Sequence, residues 1–195
     1  MKGPWLIALA ASAGGVPALQ TILRSLPETL DAAIVVLLHR PALHKSHLAS
    51  ILRRCTRLPV VEAHAGDRLV AGVVYVARPD LHLLVRPDCR FEYRDGHRIK
   101  FVHSSANPLF ESAARVFDGR LIAVVLTGGG SDATDGVQSV RAAGGTVIVQ
   151  DRATSEHWSM PASAIRTGAV DVVLPLEAIA PALAGLVSSG TLQIQ

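Results

Sequence analysis

Three side chains of complementary chemistry stand at three equivalent places in the chain. Ser12 ends the apolar run Trp5-Leu6-Ile7-Ala8-Leu9-Ala10-Ala11 and is followed by Ala13-Gly14-Gly15. His39 ends Ile34-Val35-Val36-Leu37-Leu38, and Asp132 follows Leu121-Ile122-Ala123-Val124-Val125-Leu126 by way of Thr127-Gly128-Gly129-Gly130-Ser131. A hydroxyl, an imidazole and a carboxylate are the parts of a nucleophile, base and orienter set, which is defined by geometry and roles and not by chain order. Each residue also has an ordinary structural use. Ser12 suits a helix cap, His39 a buried ring with one satisfied nitrogen, and Asp132 an N-cap with Asp135 in the first turn behind it. The shared position after three hydrophobic runs puts chemistry on an even footing with those structural uses.

Those runs must be strands for the argument to hold. Continuous apolar segments bounded by glycine read as strands covered on both faces, and open parallel sheets place their sites outside the carboxyl ends of the strands. Val16-Pro17-Ala18-Leu19 opens a helix with apolar residues at Leu19, Ile22, Leu23 and Leu26, stopped by Pro27. A second helix is expected around Leu43 to Leu52, with Arg53, Arg54 and Arg57 near its negative end. Pro59 to Ala63 is a short strand. From about Gly66 to Val102 the texture changes to short strands with polar tips (Val73–Ala77, Leu81–Val85, Arg90–Tyr93, Arg98–Val102) and a hairpin signal at Asp95-Gly96. This stretch is expected to be an antiparallel insertion. A helix after Asn107-Pro108, the strand at Leu121, a helix from Asp132 to Arg141, a strand at Thr146, a short helix near Met160, a strand ending at Leu174 and a helix from Leu176 complete an alternating βα pattern. The fold expected is α/β, a three-layer doubly wound, mainly parallel sheet with an antiparallel β-hairpin insertion, in one domain spanning residues 1–195.

Composition narrows the function classes. With 195 residues, 49% hydrophobic, the chain can bury a full core, and its formal charge of +3 suits an acidic protein partner. Basic residues are scattered and aromatics make up only 4%, so no nucleic-acid role is expected. Cys55 and Cys89 form no CxxC pair, and no run resembles a membrane span or a signal peptide, so a cytoplasmic protein without membrane insertion is expected. A dinucleotide fingerprint would need glycines at Ala10 and Ser12 and an acid where His39 stands, and no Gly-Lys-Ser/Thr follows Gly128-Gly129-Gly130. His44 and His47 lack neighbouring carboxylates or thiols. No cofactor or metal is therefore expected.

The motifs Ala11-Ser12-Ala13-Gly14-Gly15, His39-Arg40-Pro41 and Leu126-Thr127-Gly128-Gly129-Gly130-Ser131-Asp132 resemble those of the catalytic domain of the bacterial chemotaxis protein-glutamate methylesterases. Ala77-Arg78-Pro79-Asp80-Leu81-His82, Leu109-Phe110-Glu111-Ser112 and Met160-Pro161 extend the likeness in order along the chain. The resemblance implies Ser12 as nucleophile, His39 as general base and Asp132 as the residue orienting it. It implies hydrolysis of γ-glutamyl methyl esters on chemoreceptor helices, and deamidation of certain receptor glutamines. Ala13, Gly14, Gly128, Gly129, Gly130 and Arg40 are expected to form the oxyanion and substrate pocket. The chain departs from the family at Ala13 (usually threonine), at Gly129 (usually methionine) and across His103 to Asn107, where an arginine and an aspartate are general. Family members commonly carry an N-terminal phosphorylatable receiver domain; this sequence starts at the catalytic strand, so constitutive action or control by a signalling partner in trans is expected.

Overall fold

Strands with no polar alternation need cover on both faces, and the chain supplies it with helices on either side of one sheet. The computed structural model describes residues 4–39, 47–95 and 104–191. In chain order the elements are β1 (Trp5–Ala11), α1 (Gly15–Ser25), β2 (Ala32–Leu38), α2 (Leu48–Arg53), β3 (Val60–Glu62), β4 (Val74–Val76), β5 (His82–Val85), β6 (Phe91–Arg94), α3 (Ala106–Phe117), β7 (Leu121–Val125), α4 (Thr134–Ala142), β8 (Thr146–Gln150), α5 (Ser159–Ile165), β9 (Val172–Leu174) and α6 (Leu176–Ser189). Seven strands form a parallel sheet in the order β3-β4-β2-β1-β7-β8-β9, and β5 pairs with β6 in a separate antiparallel hairpin.

From β1 the sheet runs outward through β2, β4 and β3 on one side and through β7, β8 and β9 on the other. That makes β1 the place where the winding reverses, with β2 on one side and β7 on the other. Side chains alternate across the sheet. Trp5, Ile7, Leu9 and Ala11 pack with α1, α2 and α6, whereas Leu6, Ala8 and Ala10 pack with α3, α4 and the hairpin. The same alternation sends Leu37 and Val125 toward α3 and α4. Ser12, His39 and Thr127 share that parity, so all three strand ends direct their polar side chains to the α3 side.

Two features differ from the sequence expectation. Val74–Val76 lies in the parallel sheet between β2 and β3 and not in the antiparallel insertion. All three of its residues are buried, which fits a strand covered on both faces better than a half-exposed hairpin. The hairpin turn runs through Arg86 to Cys89, with Cys89 at φ 58 and its N–H donating to the Arg86 carbonyl. The Asp95-Gly96 signal and the strand expected at Arg98–Val102 lie at or beyond the limit of the described residues.

Helices α3 and α4 meet where Gly136 faces Phe110. A Cβ on Gly136 would lie 2.7 Å from the Phe110 Cβ and 3.2 Å from the Asn107 Cα. Gly185 lies inside α6 with nothing within 4 Å of an added Cβ. Gly136→Ala is expected to destabilise the fold by about 1–3 kcal/mol through overpacking. Gly185→Ala is expected to stabilise it by roughly 0.4–1 kcal/mol by removing unfolded-state freedom. Urea unfolding of the two variants beside the parent checks both signs.

Candidate active site

Ala11 and Leu38 are the last register partners of β1 and β2, and the His39 N–H donates to the Ala11 carbonyl at 3.0 Å. Ser12 and His39 therefore leave adjacent parallel strands side by side, on backbones about 4.8 Å apart. Ser12 is itself tied to the third strand end, because its N–H donates to the Thr127 carbonyl at 3.0 Å. It does not cap α1. The cap position belongs to Gly14, which has φ 74 and makes no side-chain cap. The Ser12 hydroxyl is thus not used in holding the helix end.

Asp132 is 2% exposed and lies 2.7 Å from the His39 Nε2 through its Oδ2; the His39 side chain is 8% exposed. The contact is short but off-axis for a hydrogen bond, leaving Nε2 poorly aligned with its acceptor. Misalignment of this kind is common before substrate is engaged. Asp132 does not cap α4 either: that position is Ala133, held at φ 74. The carboxylate instead reaches across to the start of α3, accepting the Ala106 N–H at 2.6 Å and the Ser105 hydroxyl at 2.5 Å. Burial by itself would raise the Asp132 pKa. The His39 contact, the Ala106 amide and the Ser105 hydroxyl outweigh that and hold the carboxyl below its ordinary range. Asp132 is therefore held as a buried negative charge facing the His39 ring.

The glycine turn after β7 is packed against Ser12. A Cβ on Gly128 would lie 2.8 Å from the Ser12 Cβ and 2.9 Å from the Met160 Sδ. Gly128 is the position where backbone must approach the serine closely. The Gly128 N–H donates to the His157 carbonyl and the Gly130 N–H to the Ser159 Oγ, each at 2.9 Å. Of the three expected oxyanion amides in this turn, only that of Gly129 is uncommitted among the described residues. An added Cβ at Gly129 meets nothing within 4 Å, so the position opens into space. Ala13 is exposed, and Gly14 packs against Glu156. Arg40 lies outside the described residues.

Sequence reading missed the parts that brace this turn. The Thr127 Oγ1 donates to the Ala13 carbonyl at 3.1 Å and accepts the His157 N–H at 2.8 Å. The Thr127 N–H donates to the Oε1 of the fully buried Gln150 at 2.8 Å. The loop from β8 to α5 thereby holds the serine turn from the side opposite to His39. A buried polar Gln150 at the end of an otherwise apolar strand was the available signal.

Two outcomes test this geometry. Gly128→Ala is expected to slow reaction of Ser12 with a fluorophosphonate by about a hundredfold, since displacement of an attacking group by about 1 Å is that costly. Because the Asp132 pKa is depressed on folding, its ionised form contributes stability above the unfolded value of about 3.9, and this is lost as pH falls through the lower folded value. Urea unfolding from pH 7 to pH 2.5 should show the parent exceeding Asp132→Asn by a constant margin above about pH 5, shrinking below about pH 4.

The sequence model of the CheB methylesterase family matches residues 7–183. A Caulobacter vibrioides protein-glutamate methylesterase/protein-glutamine glutaminase is 39% identical, over 91% of this chain and 52% of its own. The protein-glutamate methylesterase FrzG of Myxococcus xanthus is likewise 39% identical, over 91% of this chain and 53% of its own. The chain thus spans about half the length of those two relatives. A Leptospira interrogans relative, 39% identical over 174 residues, matches across 89% of this chain and 90% of its own, and carries the same two activities provisionally in its name. Among solved structures, the Thermotoga maritima CheB methylesterase catalytic domain superposes with a TM-score of 0.91 at 34% identity, covering 95% of this chain and all of that one.

Proposed function

Since this chain belongs to the CheB methylesterase family, we propose that it hydrolyses γ-glutamyl methyl esters on the cytoplasmic helices of methyl-accepting chemoreceptors through an acyl-enzyme on Ser12. The observation that carries this reading is the buried His39–Asp132 pair standing beside Ser12 at the carboxyl ends of three adjacent strands. Attack by the Ser12 Oγ on the ester carbonyl forms the C–O bond as His39 takes the hydroxyl proton. With Nε2 turned to Asp132, Nδ1 is the nitrogen that receives it. His39 then returns the proton to the departing methoxide, releasing methanol. Water deprotonated by the same ring opens the acyl-enzyme to a glutamate carboxylate and restores Ser12. The oxyanion is held by the main-chain amides of Ala13 and Gly129, neither of which is committed to another acceptor among the described residues.

A primary amide follows the same path with ammonia as the leaving group, so glutamine deamidation belongs to the same site. Arg40 is assigned to meeting an acidic receptor surface. Action on receptor cytoplasmic helices assigns the reaction to the cytoplasm.

Methanol release from methyl-esterified receptor cytoplasmic fragment, with ammonia release from its glutamine form, tests the reading. Ser12→Ala and Asp132→Asn are each expected to lower kcat by about ten-thousandfold or more. Asp135→Asn, at an exposed carboxylate on α4, should stay within about threefold of the parent. Background-level release from all four proteins would overturn the assignment of substrate.

A further inference from the structure

The hairpin β5–β6 lies outside the main sheet, yet it touches the site through one buried side chain. His82 is 4% exposed, and its Nδ1 accepts the N–H of Ser105 at 3.1 Å. Ser105 is fully buried at the cap of α3, and both its N–H and its hydroxyl have partners. Its N–H goes to His82, its hydroxyl donates to the Asp132 Oδ1, and the Oγ accepts the Asn107 N–H at 3.2 Å. The next amide, that of Ala106, donates to the other Asp132 oxygen. His82 thus grips one face of the peptide unit whose following groups grip the carboxylate.

We propose that His82 is a positioning residue for the triad, setting the orientation of Asp132, and through it His39, by fixing the Ser105 peptide. This rests on the esterase reading of Ser12, His39 and Asp132. The chain of contacts runs from β5 to Ser105 to Asp132 to His39 without leaving the buried interior. A second bond keeps the hairpin in register on the helix, because the Val85 N–H donates to the Ser112 Oγ at 3.0 Å, itself anchored on the Pro108 carbonyl at 2.6 Å. With β5 fixed to α3 at Ser112, the His82 ring has little freedom to drift from Ser105. The acceptor must bear a lone pair at Nδ1, so the proton of the neutral ring sits on Nε2. Rotation of the Ser105 peptide would move both donors to Asp132 together, and an error of about 1 Å in a positioning contact costs on the order of a hundredfold in rate.

The decisive comparison is between two amide substitutions. In H82N the amide oxygen occupies the place of Nδ1, whereas in H82Q the acceptor is one carbon farther out; H82L has none. Methanol release from methyl-esterified receptor fragment gives kcat and KM, and the rate of Ser12 phosphonylation by a fluorophosphonate gives nucleophile activation without the natural substrate. The expected result is H82N within about threefold of the parent in both assays, and H82Q and H82L lower in kcat by about ten- to a hundredfold with KM within about twofold. If H82L is too unstable to assay, the H82N and H82Q pair, which differ by one methylene, decides the question. H82N falling with H82Q overturns the proposal, as does parental kcat in folded H82Q. A parent chain that is phosphonylated at Ser12 but releases no methanol overturns the substrate and leaves the His82 comparison legible in the phosphonylation rates. One that reacts with neither reagent overturns both.

Discussion

The site depends on a buried carboxylate kept ionised. Asp132 has almost no contact with solvent, and an isolated charge in that position would take up a proton. It stays charged because α3 begins against it, offering the Ala106 amide and the Ser105 hydroxyl, and because His39 faces it from the other side. The N-terminal dipole of a twelve-residue helix adds to those bonds. An ordinary helix-end device is thereby turned outward. The start of α3 is satisfied by a carboxylate belonging to the loop after β7, and the price of burying that carboxylate is met by donors the helix would otherwise have had to satisfy elsewhere.

The rest of the fold delivers the three polar ends to this point. Parallel register leaves Ser12 and His39 one residue past the last paired positions of β1 and β2, and alternation turns both to the side where α3 lies. β7 enters on the other flank of β1, and its glycine turn lets Asp132 cross to α3 while Gly128 presses on Ser12. Ala133 at φ 74 marks the sharpness of that turn, since a side chain in this backbone region costs on the order of 1–2 kcal/mol. The strain sits immediately after the carboxylate it helps to direct.

Much of this was readable before any coordinates. The apolar runs ending at Ser12, His39 and before Thr127 identify the central strands because each is buried along its whole length, and the αβ alternation gives the layers. Failure came where the signal was short or nonlocal. Val73–Ala77 reads as part of the insertion because five apolar residues between turns carry no period that separates a central strand from a hairpin arm. Ser105 and His82 were invisible as site components for a different reason. They lie 27 and 50 positions before Asp132 in the sequence, and only the docking of the hairpin on α3 brings them together. The actual use of the glycine amides was equally hidden, since it is set by the β8–α5 loop that closes on them.

Asn107, in the first turn of α3, ties that helix to α4. Its side-chain oxygen accepts the N–H groups of Asp135 and Gly136 at 3.1 and 2.8 Å, satisfying the start of α4 from the neighbouring helix. Its amide nitrogen faces the Asp135 carboxylate at 3.5 Å. A carboxylate at position 107 would accept the same two amides but would set like charges against each other at that distance. An asparagine makes both contacts, because one end accepts and the other donates. Helices α3 and α4 are thus locked cap to cap, with Gly136 allowing the close approach. That lock fixes the loop carrying Asp132 relative to the helix end that receives it. The two-thirds of positions that differ from the Thermotoga domain leave the superposition intact for the same reason: what is held constant is the direction of a few strand and helix ends, and several different side chains can hold them.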